Sequence, residues 1–257
     1  MKSIKAIKHD TTQTDIKSNG VVIYDGPSLL NGDPIVGIIT GVTVPSKNPK
    51  TGDMLQLWVL PRDVHPNEIK QDDNHPSCGN CPLKKGICYV NATAYGQVYK
   101  VYKSGKYPFL TEHHLQLFKS RQRKIRLSAY GESTAIPLNV IKPILRSCNG
   151  FTGYTHTWNT CDPEWSQYLM ASVETDALAR QAANKQWRYF KIVSEEYILQ
   201  DNEKICPNYL DPQKNQCEAC QLCNGHNEKS FNNTPNIVTP IHGSGKRVST
   251  FLQRYGH

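Results

Sequence analysis

Seven of the nine cysteines in this chain of 257 residues fall into two groups with the spacing of metal ligands. The first group is Cys78, Cys81 and Cys88, in HPSCGNCPLKKGICY. A Cys-x-x-Cys pair puts two sulfurs on one tight turn, where both can reach one metal, and Gly79 and Gly86 let the backbone wrap closely. Three cysteines are one ligand short of a closed tetrahedral site. Either an exogenous ligand takes the fourth position, or His75 fills it and makes a zinc site of three cysteines and one histidine. The plain alternative is unligated thiols, since free cysteine packs as a small hydrophobe.

The second group is Cys206 followed by CEACQLC, which contributes Cys217, Cys220 and Cys223. The Cys-x-x-Cys-x-x-Cys run resembles that of bacterial ferredoxins, which wraps one face of a [4Fe–4S] cube. Four cysteines allow full ligation. An all-cysteine zinc site is the alternative, although such sites are usually built from two Cys-x-x-Cys pairs on separate turns. Cys148 and Cys161 read as ordinary buried thiols.

Other polar residues stand where strands are expected to end. They are Glu132 in YGES, His156 in GYTHTW, Ser172 and Glu174 in ASVET, and His242 in IHGSGK. A lone histidine on a strand is more often structural than catalytic. The shared placement at strand ends is what makes Glu132, His156, Glu174 and His242 catalytic candidates. GSGK lacks the spacing and the trailing Ser/Thr of a phosphate loop. GxSxG, HExxH and GxGxxG are absent, so hydrolase and dinucleotide readings have no support.

These residues need elements to hold them. Apolar, β-rich runs occupy Leu55–Leu60, Lys124–Tyr130, Phe151–Thr157, Leu169–Glu174, Arg188–Val193 and Asn236–His242, and 20–24 and 36–44 can pair as a hairpin. Helical patterns fall at Asn91–Lys103, Thr111–Arg121, Leu138–Arg146 and Asp176–Trp187, with Pro143 expected to kink or cut the third. Such alternation implies parallel strands with crossover helices. The expected fold class is α/β, a partial (β/α)6 barrel with an N-terminal β-hairpin extension and a C-terminal cysteine-rich loop. The expected organisation is a flexible lead-in over 1–20, a β extension over 21–50 and the barrel-like domain over 51–257, with metal-binding loops at 75–91 and 204–226.

No stretch approaches the roughly 18 apolar residues that span a membrane, and the N-terminus lacks a secretory apolar core. The chain is therefore expected in the cytoplasm, where an odd number of cysteines stays reduced. The net charge of +8 permits a nucleic-acid partner. Within 99–126, Lys100, Lys103 and Lys106 alternate with Tyr99, Tyr102 and Tyr107, and Lys119, Arg121, Arg123, Lys124 and Arg126 follow. Tyrosines among lysines can hold a single strand by stacking and charge. The plainer reading is a solvated helix face with its tyrosines packed beneath it.

A strand, a loop carrying Cys78, Cys81 and Cys88, and further βα units together resemble the radical S-adenosylmethionine (radical SAM) enzymes. The resemblance implies a [4Fe–4S] cluster held by those three cysteines, with S-adenosylmethionine bound at its open iron. It implies that Tyr130, Gly131 and Glu132 stand where that family places its Gly-Gly-Glu, and that Ser172 and Glu174 touch the cofactor. It also implies an auxiliary cluster on Cys206, Cys217, Cys220 and Cys223. The loop spacing is CxxCx6C here and CxxxCxxC in that family. The chain also resembles a family of tailed-phage proteins, through TGDM (Thr51–Met54), CGNCP (Cys78–Pro82), CYVN (Cys88–Asn91), AYGES (Ala129–Ser133), GYTHTW (Gly153–Trp158), MASVET (Met170–Thr175) and the terminal CxxCxxC. That likeness implies a phage origin and brings no activity. The function expected is an iron–sulfur enzyme acting on an unknown substrate, nucleic acid among the candidates. The alternative is a non-enzymatic zinc protein that binds nucleic acid or a host protein.

Overall fold

A computed structural model describes residues 16–46, 48–69, 74–226 and 234–256. Most of the expected lead-in, residues 1–15, lies outside the described residues. The chain forms two compact units: one holds the described residues up to Gly79 together with Val90–Phe151, and the other holds Asn80–Tyr89 and Thr152 onward.

In the first unit β1 (Gly20–Pro27) and β2 (Pro34–Thr40) form the expected antiparallel hairpin. β3 (Leu55–Pro61) pairs antiparallel with β2 and parallel with β4 (Ile125–Tyr130), and the short β5 (Phe151–Thr152) completes the order β1-β2-β3-β4-β5. Three helices accompany this sheet. α1 (Ala92–Lys103) starts at Asn91, whose side chain accepts from the Thr93 amide, and Lys100 and Lys103 in its last turn complement the helix dipole. α2 (Glu112–Ser120) opens on a capping box between Thr111 and His114. It buries Leu115 and Phe118, each worth about 1.5–3 kcal/mol of transfer free energy. α3 (Leu138–Ser147) continues past Pro143, so of the expected kink or cut the cut does not occur. Proline removes one backbone bond, whereas Leu138, Ile141, Ile144 and Leu145 all bury on one face, and the packing wins.

The second unit is built on an all-parallel sheet. Its strands are β6 (Tyr154–Thr155), β7 (Met170–Val173), β8 (Tyr189–Val193), β9 (Glu203–Ile205) and β10 (Asn236–Pro240), in the order β6-β7-β8-β10-β9. β7, β8 and β10 are buried at every position, as parallel strands covered on both faces must be. The crossover α4 (Asp176–Asn184) begins at Thr175, whose hydroxyl accepts from the Leu178 amide. Short helices α5 (Pro207–Leu210) and α6 (Cys217–Cys220) follow β9, and α7 (Gly245–Tyr255) follows β10. Met170, Phe190, Ile192, Ile237, Ile241 and Phe251 form one apolar cluster, joined by Leu83, Ile87 and Cys206. In β8, Lys191 alternates with Phe190 and Ile192. It is buried in a polar network with Asp176, Tyr197 and Glu203, and Tyr189 and Tyr197 both donate to the Glu203 carboxylate. The Lys191 ammonium holds the Asp176 carboxyl below the usual carboxylate range.

The fold class is therefore α/β. Among the described residues the strands make two open five-stranded sheets, and no barrel closes. The expected single strand Phe151–Thr157 is split at Gly153, whose amide donates to Cys223 O (2.8 Å) while its carbonyl accepts from the Met170 amide (3.0 Å).

Candidate metal and catalytic site

All five strands of the second sheet run the same way, so residues just past their ends share one edge, where open α/β sheets keep their ligands. His156 follows β6, Glu174 follows β7, Cys206 follows β9, and His242 lies two residues past β10. Glu174 Oε1 meets His156 Nε2 at 2.8 Å, with the carboxylate side chain only 2% exposed and the imidazole 11%. His156 Nδ1 lies 3.3 Å from Cys81 Sγ. Cys81, His156 and Glu174 thus form a continuous relay that combines one expected metal ligand with two expected catalytic residues. Ser172 and Glu174 alternate with Val173 and so share the face of Met170. Tyr255 of α7 lies close by: burial pushes its hydroxyl up, and the Glu174 charge adds to the shift.

Two facts of coordination chemistry describe the relay. Ligand bonds of 2.3 Å to sulfur and 2.0–2.1 Å to nitrogen put S and N about 3.6 Å apart on a tetrahedral ion, close to the observed 3.3 Å. A ligating histidine also commonly gives its other ring N–H to a carboxylate, which fixes its tautomer and orientation. Without a metal, the same contacts join a cysteine sulfur, an imidazole ring and a carboxylate.

The loop carrying Cys81 is held by the C-terminal helix. Arg254 donates to Pro82 O (3.0 Å), Arg247 donates to Cys88 O (3.1 Å) and lies 4.7 Å from the Tyr89 ring centre, and Leu83 and Ile87 bury in the apolar cluster. The His242 amide donates to the Tyr89 hydroxyl, and the two rings stand 4.7 Å apart. His242, expected as a catalyst, is thereby engaged in holding this loop. Cys88 is exposed.

The three cysteines of the first group divide between the units: Cys78 belongs to the first, Cys81 and Cys88 to the second. In the first unit His75 is buried and its Nδ1 accepts from the Ser77 and Cys78 amides, so Nε2 is the atom it can offer a metal. Cys78 packs beside Tyr95 and Val90 on a cluster that includes Tyr130. Gly131, at φ +76°, has no room for a side chain, because a Cβ would lie 2.5 Å from Val59 O. It aims the chain so that the buried Glu132 donates its amide to Ser77 O (2.6 Å). Ser128, in the strand before it, also takes a positive φ of 60°, at the point where β3 and β4 slip register.

In the C-terminal group, Cys217 and Cys220 sit in α6, Cys223 lies in the following loop and Cys206 is at the end of β9. Among the described residues of the second unit, no three cysteine sulfurs lie within 4.8 Å of one another. Sulfurs sharing one zinc ion stand about 3.8 Å apart. Arg188, at the start of β8, is the residue that sequence reasoning missed here. Only 3% exposed, it donates to Leu222 O (2.9 Å), to Asn224 O and Oδ1 (2.8 Å each) and to Pro235 O (2.7 Å). The only signal in the sequence is an arginine heading an apolar strand.

In the basic segment the tyrosines pack inward, and Arg123 is itself buried and paired with Asp53 (2.8 Å). Tyr99 is buried, Tyr102 and Tyr107 pack on the same cluster as Tyr99, and burial pushes the Tyr102 hydroxyl up to about 12, with Asp25 adding to the shift. Among the described residues no helix is long and apolar enough to cross a membrane. Comparisons with protein-family models, with curated proteins and with solved structures find no match to this chain.

Proposed function

We propose that the chain is a metalloprotein whose reactive centre lies at the carboxyl edge of the parallel sheet, with Cys81 and His156 as ligands and Glu174 orienting the imidazole. The observation that carries this reading is the 3.3 Å Cys81–His156 contact, continued at 2.8 Å to a buried carboxylate. In its specific form the centre is an iron–sulfur site of a radical-SAM-like enzyme. Two features support that form: the run of parallel neighbours β6-β7-β8, as in part of a (β/α) barrel, and the position of Ser172 on, and Glu174 just past, the strand that the resemblance assigns to the cofactor. Such a cluster, when bound, supplies single electrons for the reductive cleavage of S-adenosylmethionine. The chain's own residues would hold it through the Cys81 sulfur and the His156 ring, whose orientation Glu174 fixes. A zinc ion on the same pair is the non-redox form of this reading.

The relay also favours a second reading, a cysteine nucleophile. A thiol within reach of an imidazole that is itself oriented by a third group is the signature of an activated nucleophile. Anaerobic purification with metal analysis separates the possibilities. Iron and a brown colour bleached by dithionite support the cluster, and a colourless protein with stoichiometric zinc supports the zinc form. A metal-free protein whose Cys81 is alkylated rapidly by iodoacetamide, and slowly in H156A, overturns both in favour of the nucleophile.

A further inference from the structure

We infer that the C-terminal cysteine run has one more ligand: Cys217, Cys220, Cys223 and His226 form a single iron–sulfur site, and Cys206 is not part of it. The inference rests on the metalloprotein reading but concerns a separate set of ligands. The sequence from Cys217 is CEACQLCNGH, so a metal-binding side chain recurs at every third residue. Cys217 and Cys220 lie one turn apart on the same face of α6. Gln221 then takes a left-handed conformation (φ +52°), and both its backbone and side-chain amides donate to Cys217 O, at 3.1 and 3.0 Å, which folds the chain back.

The rest of the loop is stapled in place. Cys223 O accepts from the Gly153 amide, and the His226 amide donates to Ser166 O at 2.6 Å. Gly225 packs so closely that a Cβ would lie 2.2 Å from the backbone of Gln167 and Tyr168. Arg188 lies beneath, within electrostatic reach of both the Cys223 sulfur and the His226 ring. Cys206 is elsewhere. Its amide donates to Val238 O past the end of β9, whereas Cys223 is tied to the residue before β6. β6 and β9 are the two edges of the sheet, four strand steps or about 19 Å apart along it.

Charge agrees with the assignment. Arg188 is a buried cation with no carboxylate partner among the described residues, and its Nε has no hydrogen-bond partner there. A buried guanidinium held only by carbonyls calls for an anion nearby. A doubly positive oxidised cubane bound by three thiolates and one neutral imidazole keeps a single negative charge, which the single charge of Arg188 matches.

The test uses the full chain carrying C81S, so that the carboxyl-edge pair cannot form. Reconstitution with ferrous iron and sulfide under argon is followed by protein-bound iron and visible absorption. We expect C81S to take up iron, C81S/C206S to match it, C81S/H226A to lose at least half, and C81S/H226C to recover it. The inference is overturned if C81S/H226A keeps its iron while C81S/C206S loses it, if C81S/C223S loses none, or if C81S takes up none. Failure of the carboxyl-edge reading in its iron–sulfur form shows separately, as equal iron in the wild type and C81S.

Discussion

Replacing Glu174 isolates the relay, because its carboxylate is 2% exposed and its 2.8 Å bond is to His156. A hydrogen bond to a charged group is worth about 1.5–3 kcal/mol and a neutral one about 0.5–1.5 kcal/mol. E174Q keeps the shape and an acceptor oxygen but loses the charge, a deficit of about 1.4 kcal/mol, or tenfold in affinity. E174A loses the whole bond, about 2.8 kcal/mol, or on the order of 100-fold. That bracket coincides with the roughly 10–100-fold loss found when a ligand's outer partner is removed. The assay is competition for zinc between a chromophoric chelator and metal-free protein carrying C217S, C220S and C223S, so that only the Cys81–His156 site is read. The expected order is wild type, then E174Q, then E174A, a decade apart. Both variants binding zinc within twofold of wild type, with unchanged circular dichroism, would refute Glu174 as the orienting group and the pair as ligands.

Three further outcomes follow from buried charge. K191M leaves Glu203 as a buried carboxylate without its cation and costs about 3–5 kcal/mol in urea unfolding, whereas K191M/E203Q recovers a large part of that. R188Q lowers the midpoint potential of the iron-loaded protein and R188K holds it near wild type, since a nearby positive charge favours the reduced cluster; equal potentials in all three proteins would remove Arg188 from the site. The third concerns Cys148, whose thiol burial pushes up to about 12 against the opposing Arg123 charge. Above about pH 8.5 an unfolded thiol gives up its proton while the folded one keeps it, so the folded state binds more protons and stability falls with rising pH. This single thiol contributes a loss of up to about 1.4 kcal/mol per pH unit between about pH 8.5 and 12, and the unfolding free energy of C148A from urea titrations falls with pH less steeply than that of wild type by up to that amount.

The long strands were legible for two reasons: β3, β7 and β8 are buried at nearly every position, and β4 alternates buried with half-buried residues. The runs at 55–60, 124–130, 169–174 and 188–193 match β3, β4, β7 and β8 to within a residue at either end. The three-residue β9 has too few positions to show a period, and α7 was hidden by its Gly-Ser-Gly start and a polar face broken only by Val248, Phe251, Leu252 and Tyr255. Cysteine spacing pointed to ligands but not to their grouping. Nothing local indicates that Cys78 and Cys81 belong to different units, or that Cys206 and Cys223 are tied to opposite edges of a sheet. His156 and Glu174 were each visible as a polar residue after a strand. Their union with Cys81 is tertiary: the relay spans 75 residues in one direction and 18 in the other, and only the parallel strand order closes it.

The straps on the Cys81 loop also set an order of events during synthesis. Pro82 O waits for Arg254, a partner 172 residues downstream. At about 5–20 residues per second a ribosome takes roughly 9–34 s to cover that distance. For that interval the nascent loop carries its thiols without the arginines that shape it. On the proposed metalloprotein reading, loading at Cys81 would be a late step that follows completion of the last helix, and a chain released before Gly245 would display the cysteines yet lack the clasp that fixes them.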